Sequence, residues 1–320
     1  MTRLDTENAA SLHQQRQQMY EAIDRYRNSF VDPLTGLLRA DRLEQRACPV
    51  CGGTAQQRLF IKNGGQYMRC GDCAMVFLNP VFTDAALADY YRHNNAAQAI
   101  AHESEAAFYR RIYGVGLDLV QRYVGTGDVL DIGCSGGLFL DVARERGWKT
   151  FGIELNEQEV VIAQGKDHQV WNCEIADLPV DRRFALISLW DVFEHIKDGV
   201  GYLRMLAGLL APGGLVFMQI PSADSLAARI MREQCNVFDG LEHVNLYGEV
   251  TIGRTAERAG YEIVAVESVI DELKPLMNFL GYEHPYQGSF QPQPRLDFLT
   301  PEVLHHRKLG YKLQVLMCLR

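Results

Sequence analysis

The sequence predicts an α/β protein with a doubly wound, Rossmann-like parallel sheet, preceded by an amino-terminal helix and a small cysteine-rich segment. From residue 126 onwards, short apolar runs alternate with amphipathic stretches, which is typical of parallel strands connected by helices. A glycine-rich turn lies in "VLDIGCSGG", residues 129–137, at the end of the first apolar run. Two Cys-x2-Cys pairs lie upstream of the alternating region.

Composition and charge limit the classes of function. The 320 residues are 47% hydrophobic and 22% charged, which indicates a folded globular chain. No segment resembles a signal-peptide core or reaches the roughly 20 apolar residues of a membrane span. The sequence therefore predicts a cytoplasmic protein without a membrane partner. The formal net charge of −8 disfavours a nucleic-acid partner held by phosphate contacts.

Residues 1–47 are predicted to form an amino-terminal helical arm. Apolar side chains recur at helical spacing between positions 8 and 30, and Asp32-Pro33 then ends the helix. The apolar positions are Leu12, Met19, Ile23, Tyr26 and Phe30. A homodimer formed through this helix is one possible assembly.

Residues 48–83 are predicted to form a zinc ribbon. Two cysteine pairs are separated by eighteen residues, a spacing typical of a four-thiolate structural zinc site: Cys48, Cys51, Cys70 and Cys73. Asn63-Gly64 indicates a hairpin between the pairs, and we expect Gly52 and Gly71 to supply positive φ angles in the two turns. Four protein thiolates leave no open coordination position, which disfavours a catalytic zinc. A ribbon that has lost its metal, or four unrelated thiols, is the alternative.

The remaining chain is predicted to form a helical linker or lid over residues 84–125 and a core over residues 126–320. Within the linker, "AAFYRRIYGVGLDLVQRYV" has the clearest helical pattern. Predicted core helices are "LFLDVARERG", "NEQEVVIAQGKDH" and "GYLRMLAGLLAPGG". Predicted core strands are "DVLDIG", "KTFGIEL", "QVWNCEIADL", "FALISLWDV" and "LVFMQIP". In such sheets the ligand lies at the carboxyl ends of the strands.

The glycine-rich turn predicts a nucleoside site. Gly133, Gly136 and Gly137 allow close approach of the backbone to a ligand and expose amides at a helix amino terminus. Glu154 follows about twenty residues later, at the end of the second strand, where an acid can accept hydrogen bonds from a ribose. Asp131 would lie close to where a dinucleotide places its pyrophosphate, so the pattern favours a nucleoside that carries an ammonium group.

These motifs resemble those of the class I S-adenosylmethionine-dependent methyltransferases over roughly residues 126–270. The resemblance rests on "VLDIGCSGG", "GIELN", "CEIADLP" and "DVFEHIKD" before "LAPGGLVFMQIP". It implies a seven-stranded sheet completed by "GYEIVAVESV" and "YKLQVLMCLR", with the last strand antiparallel. The implied cofactor-binding residues are Asp131, Gly133, Cys134, Gly136, Glu154, Leu155, Glu174, Ile175, Trp190 and Asp191. Alternatively, Cys134 and Trp190 are core residues and Glu174 is an exposed acid at a strand end.

Two histidine motifs compete for the role of a general base. His195 in "FEHIKD" follows the fourth strand, where the resemblance also implies a structural Glu-His pair. Glu242 and His243 in "LEHVNLY" follow the fifth strand, and either residue could act as the base. The alternative for His243 is that it fixes the following helix in place. Between the last two strands, residues 270–310 are expected to form a substrate cap.

The sequence also resembles zinc-containing C-methyltransferases that act on nucleotide-linked deoxysugars. The shared features are the two cysteine pairs and Glu242-His243 followed by Tyr247. Those enzymes continue into a further α/β domain that helps to hold the nucleotide-sugar, whereas this sequence ends with the core. This difference disfavours a nucleotide-linked acceptor.

Three functions remain open at the level of sequence. The first is transfer of a methyl group to oxygen or carbon of a polar small molecule, such as a sugar or natural-product intermediate. The second is rRNA or tRNA methylation with the ribbon as a docking module, which the acidic charge and the absence of an Asn/Asp-Pro-Pro-aromatic motif at "WDVF" disfavour. The third is a non-catalytic scaffold, which the intact glycine turn and Glu154 disfavour.

Overall fold

The computed structural model describes residues 28–87, 89–90, 106–179, 181–289 and 296–320. Most of the predicted helix over residues 8–30, and with it the proposed dimer contact, lies outside the described residues. Within the described ranges, no helix combines the length and apolar character that crossing a bilayer requires.

The first part of the described chain forms short strands around the cysteine pairs. These are β1 (Leu43–Glu44), β2 (Gln56–Lys62), β3 (Gly65–Cys70), β4 (Val76–Leu78) and β5 (Val81–Phe82). β1 pairs with β5 in a separate two-stranded antiparallel sheet. The Asn63-Gly64 turn between β2 and β3 has φ angles of 48° and 83°, as a two-residue type I′ hairpin requires.

The strands that follow include the seven of the main sheet. They are β6 (Asp128–Ile132), β7 (Lys149–Ile153), β8 (Gln169–Trp171), β9 (Phe184–Trp190), β10 (Leu210–Pro221), β11 (Asn245–Leu246), β12 (Tyr261–Val269) and β13 (Lys312–Leu319). All of these except β11 belong to the main sheet, in the order β12-β13-β10-β9-β6-β7-β8. Strands β6 to β10 are mutually parallel where they pair, whereas β13 is antiparallel to both of its neighbours. The predicted seven-stranded sheet with an antiparallel last strand is therefore confirmed.

Helices cover both faces of the main sheet. The labelled α-helices are α1 (Ala106–Val120), α2 (Leu138–Glu145), α3 (Glu157–Gly165), α4 (Gly199–Ala207), α5 (Leu226–Met231), α6 (Glu249–Ala259), α7 (Leu273–Leu280) and α8 (Pro301–His306). Apolar residues of α4 and α6 pack into one core cluster, and those of α1, α2 and α3 pack into a second. The central strands are buried on both faces, which explains why they are continuous apolar runs in the sequence.

The cysteine-rich segment shares a sheet with the core. Its four-stranded antiparallel sheet has the order β11-β4-β3-β2, so that β11, which follows His243, forms one edge. Asn245 pairs with Phe77, and Leu246 pairs with Val76. The segment that carries the second histidine motif is therefore held by the ribbon.

Two local predictions were wrong. Gly71 does not adopt a positive φ; in the second cysteine turn the left-handed residue is Ala74, at φ 63°, whereas Gly52 in the first turn has φ 76° as expected. The amide of Ala74 donates to Cys70 O, so the turn closes one residue beyond Cys73. The helix predicted through "LAPGG" ends at Ala207, because β10 already begins at Leu210 and contains an irregularity before Leu215.

Candidate functional site

The glycine turn after β6 lies against the segment that follows β9. The amides of Gly133 and Cys134 both donate to Ile153 O, at 2.9 and 3.1 Å, which fixes the turn at the end of β7. Gly133 has φ 70°, and a Cβ atom there would approach Val192 Cγ2 within 2.8 Å. The glycine turn and the segment 190–195 therefore lie next to each other at the carboxyl edge of the sheet.

Glu154 is placed at this edge by backbone hydrogen bonds. Its Oε2 atom accepts from the Ser135 amide at 3.0 Å, and Oε1 accepts from the amides of Leu155 and Asn156 at 2.8 and 2.9 Å. A carboxylate accepts about four hydrogen bonds, so Glu154 retains capacity for a ligand hydroxyl. Asn172, which the sequence analysis missed, donates to the backbone oxygens of Glu154 and Leu155 and ties the ends of β7 and β8 together.

Asp131 is a buried carboxyl group at the end of β6. It is 2% exposed and accepts a 2.7 Å hydrogen bond from Ser188 Oγ on the adjacent strand. Burial raises the pKa of Asp131 well above its usual value, and the Ser188 hydrogen bond only partly opposes this. A cationic group bound beside Asp131 would favour the ionised carboxylate.

The raised pKa of Asp131 predicts a pH-dependent cofactor affinity. Below that pKa the free protein must release a proton to bind a cation, so the affinity for S-adenosylmethionine should fall by up to about tenfold per pH unit as pH decreases. In Asp131→Asn we expect weaker binding with a shallower dependence. Calorimetric titration over a pH series measures both, with the exposed Asp177→Asn as the control. Equal pH slopes in the wild type and Asp131→Asn would contradict this assignment.

The predicted adenine-side residues lie beyond the ends of β7 and β8. Leu155 is 63% exposed, Glu174 is also exposed, and Ile175 is buried at the start of a short 3₁₀ helix. Gly136 lies under the side chains of Glu159 and Ile162, where a Cβ would be 2.9 Å from Glu159 Oε2. These positions surround the glycine turn on the side of β8.

Two of the predicted cofactor contacts have their side chains in the core. Cys134 is buried, and its sulfur occupies the space that a side chain at Gly152 would need. Trp190 packs against Phe217, Tyr113 and Phe139, with ring centroids 4.6 to 5.2 Å apart. Both side chains therefore belong to one buried cluster of apolar residues.

The structure brings both histidine motifs together in an acid–histidine cluster of Glu194, His195 and His243. The two imidazole rings are 5.2 Å apart and nearly perpendicular. His243 Nδ1 lies 2.8 Å from Val237 O, which can only accept, so Nδ1 carries the proton. The other nitrogen, Nε2, lies 4.0 Å from Glu194 Oε1. His243 thus presents an unprotonated nitrogen beside a buried carboxyl group.

Burial and neighbouring charges separate the basicities of the two histidines. Burial, reinforced by the adjacent His243, lowers the pKa of His195 to about 4. Burial also opposes protonation of His243, but Asp239 and Glu194 outweigh it, so the pKa of His243 is raised. Burial, reinforced by Asp191, raises the pKa of Glu194 to about 8. His243 is therefore the better proton acceptor of the two histidines.

The carboxylates that support His243 differ from the one that the sequence predicts. Glu242 is buried and accepts a 3.0 Å hydrogen bond from Tyr90, and it raises the pKa of His243 less than Asp239 and Glu194 do. Glu194 is 1% exposed, and neither of its oxygens has a hydrogen-bond partner within the described residues. The sequence signal that could have identified Glu194 is its position next to His195 in "FEH".

Asp191 connects the cluster to the last strand. Its backbone is left-handed at φ 55°, and Oδ2 accepts hydrogen bonds from Gln219 Nε2, at 3.1 Å, and from Lys312 Nζ. Burial opposes the charge of Lys312, but Asp191 outweighs this and raises the pKa of the lysine. Lys312 and Gln219 were missed, because an isolated polar residue in an apolar strand gives no local signal of a site.

Among the residues that the structure describes, two groups of side chains have the geometry to hold a metal ion. In each group the ligand atoms lie within 4.8 Å of one another: the four ribbon cysteines and the acid–histidine cluster. The sulfurs of Cys48 and Cys73, and those of Cys51 and Cys70, are 3.5 Å apart. Four thiolates around one zinc ion are separated by about 3.8 Å, whereas a disulfide needs about 2.05 Å. The ribbon cysteines therefore fit a tetrahedral zinc site.

Cys70→Ser is expected to reduce the zinc content from about one ion per chain to near zero, because serine removes one of four thiolate ligands. Elemental analysis of the purified protein measures this. Cys173→Ser, outside the cysteine cluster, should retain the metal. Full zinc content in Cys70→Ser would show that the four-thiolate site is wrong.

Comparison with known proteins gives a family. A sequence model described as a methyltransferase domain matches residues 81–266, more than half of the chain. A ubiquinone biosynthesis O-methyltransferase of Acinetobacter baylyi is 29% identical over 28% of this chain and 41% of its own length. One from Leptothrix cholodnii is 27% identical over 36% of this chain and 54% of its own. The chain therefore spans about half the length of these curated relatives.

A solved structure supports the same fold. The plantazolicin methyltransferase BpumL, determined in complex with SAH, aligns with a TM-score of 0.50 at 15% identity, over 73% of this chain and 94% of that one. At this identity the likeness concerns the fold. Together with the family match, the sheet order and the glycine turn, it leads to one conclusion: the chain belongs to the methyltransferase-domain family and has the class I S-adenosylmethionine-dependent methyltransferase fold.

Proposed function

We propose that this protein transfers the methyl group of S-adenosylmethionine to an oxygen or carbon atom of a polar small molecule, with His243 as the general base. The observation that carries the proposal is the acid–histidine cluster beside the glycine turn. Gly133 approaches Val192, which lies two residues before Glu194, so the nucleoside turn and the cluster share one edge of the sheet. A sugar or natural-product intermediate is the acceptor class that we favour.

The residues of the chain have separable tasks. S-adenosylmethionine, when bound, supplies an already activated methyl group. Glu154 binds the ribose, and Asp131 favours the positively charged methionine part. His243 Nε2 accepts the proton that the acceptor loses, which general base catalysis requires only when the nucleophile carries a proton. The imidazolium favours ionisation of the adjacent Glu194, and the resulting carboxylate stabilises the positive charge.

The surroundings of the cluster favour a small molecule over RNA. Asp191, Glu194, Asp239 and Glu242 all contribute carboxyl groups around the two histidines. Such a concentration of acidic groups disfavours the approach of a phosphate backbone. The named relatives are O-methyltransferases, which supports an oxygen acceptor.

Acceptor selection is proposed to reside in the cap over residues 270–310. This segment contains α7 and α8, while residues 290–295 lie outside the described part of the chain. The Tyr286 hydroxyl accepts from the Asn236 amide at 2.9 Å and donates to Glu272 at 3.1 Å. The cap is thereby joined to the chain just before the loop that carries His243.

The test is a methyl-transfer assay on a metabolite extract. The protein is incubated with methyl-labelled S-adenosylmethionine and separated small-molecule and RNA fractions, and mass spectrometry identifies the labelled product. We expect a small molecule that gains one methyl group with the wild type and gains far less with His243→Ala. Label in the RNA fraction alone, or no transfer despite cofactor binding, would contradict the proposal.

A further inference from the structure

Arg46 joins the ribbon to both histidine motifs. Its Nε donates to Leu78 O on β4 at 3.0 Å, and Nη1 donates to Lys197 O, two residues after His195, at 3.2 Å. Nη2 donates to Val244 O, directly after His243, at 2.6 Å. One guanidinium group therefore contacts three segments that are distant in the sequence.

Asn245 makes a second connection between the same segments. Its Oδ1 atom accepts from Arg46 Nη2 at 2.9 Å, while its Nδ2 atom donates to Ile196 O at 2.6 Å and to Lys197 O at 3.2 Å. Its backbone pairs with Phe77 as part of β11. The Arg46–Asn245 pair consequently sets the spacing between the chain after His195 and the chain after His243.

The hairpin of the ribbon contacts the loop before His243. Tyr67 Oη accepts from the Gly240 amide at 3.2 Å and lies 3.2 Å from His243 O, to which it can donate. A side chain at Gly65 would collide with Gly240 O, so the two backbones touch. Asp239, which raises the pKa of His243, accepts from the His243 amide at 3.1 Å. The ribbon thus holds the loop from both ends.

The chemistry of Arg46 suits a fixed junction. Its guanidinium is planar and presents several donors in a rigid fork, so four simultaneous acceptors define one orientation. Phe77 lies under it, with Cζ 5.3 Å from the ring centroid. Arg46 is two residues before Cys48, and the side chains of Asn79 and Gln56 hold its backbone amide and carbonyl groups.

We infer that the ribbon is a structural part of the active site and that Arg46 is a positioning residue. Through Arg46, the ribbon fixes the positions of His195 and His243 relative to each other. The inference rests on the proposed function only for the catalytic role of His243. The contacts themselves predict that loss of the hydrogen bonds made by Arg46 displaces the two histidines while the glycine turn remains intact.

Hydrogen exchange on the full-length, zinc-loaded protein tests this inference. In Arg46→Gln, we expect amides in peptides spanning 193–198 and 239–247 to exchange at least about tenfold faster, because several hydrogen bonds to a charged group are lost. Peptides spanning 129–137 should be unchanged, and zinc content should remain near one per chain. Arg69→Gln, which changes an exposed arginine of the ribbon, is the matched control and should behave as the wild type.

Side-chain NMR of labelled histidines separates positioning from general destabilisation. The signals of His195 and His243, assigned from single-alanine variants, should shift in Arg46→Gln and shift less in Arg46→Lys. Tyr67→Phe, which removes one oxygen atom, provides a second route if Arg46→Gln does not fold, and it should shift the His243 signal. Unchanged exchange and unchanged histidine signals in folded Arg46→Gln, or an unchanged His243 signal in Tyr67→Phe if only that variant folds, would overturn the inference.

Neither of these measurements needs methyl transfer, so the inference and the proposed function can fail independently. Once an acceptor is known, Arg46→Gln should lower kcat while the S-adenosylmethionine Kd stays unchanged. A change confined to the cofactor Kd would also contradict the role assigned to Arg46.

Discussion

Replacement of His243 by alanine is expected to lower the rate of methyl transfer by roughly 10²- to 10⁴-fold, the range for loss of a general base. The S-adenosylmethionine Kd should stay unchanged, because His243 lies in the cluster after β10 and not in the glycine turn. Single-turnover transfer of labelled methyl groups to the acceptor found in the extract measures the rate, and calorimetry measures the Kd.

Two comparisons make this result specific. His306→Ala removes an exposed histidine in the last turn of α8 and should leave the rate unchanged. His195→Ala should cost less than His243→Ala, because His195 has a pKa lowered to about 4 by burial. Full activity of His243→Ala would show that another group is the general base. A larger loss of rate in His195→Ala than in His243→Ala would show that His195 is the base.

Replacement of Glu154 by alanine is expected to weaken S-adenosylmethionine binding by about 1.5 to 3 kcal/mol, the range for hydrogen bonds to a charged group. This corresponds to a rise in Kd of roughly ten- to more than a hundredfold. Calorimetric titration measures it directly. Glu157→Ala, an exposed acid in the first turn of α3, should bind as the wild type does.

The alanine variant also removes the acceptor for three backbone amides, so a second variant is needed. The amides belong to Ser135, Leu155 and Asn156. Glu154→Gln retains one carbonyl oxygen and most of the volume, and it should preserve the turn better while still weakening binding. An unchanged Kd in both variants would show that Glu154 does not contact the ribose.

Much of the fold could be predicted from local sequence patterns. The Asn63-Gly64 hairpin, the four cysteines and the glycine turn are each specified by a few adjacent residues whose conformational or chemical requirements are strict. The main sheet was predictable because buried parallel strands are continuous apolar runs. The turn after Cys70 was predicted incorrectly, since glycine only permits a left-handed conformation, and the hydrogen bond from Ala74 to Cys70 O decides its place.

The junction between ribbon and core could not be read from the sequence. Arg46 and Val244 are 198 positions apart, and nothing near either residue indicates the other. Likewise, Glu194 and His243 become neighbours only through the sheet order, and burial then gives the carboxyl group its raised pKa. Segments that the sequence assigns to different domains can therefore share one sheet, as β11 and β4 do.

Native mass spectrometry of the full-length protein, with and without added S-adenosylmethionine, tests whether the protein binds this cofactor at the glycine turn and zinc in the ribbon. We predict one zinc ion and one nucleoside per chain, with less nucleoside bound to Glu154→Ala at the same S-adenosylmethionine concentration and with the zinc retained. A wild-type protein that binds zinc but no S-adenosylmethionine, even at millimolar cofactor, would show that the glycine turn is not a cofactor site.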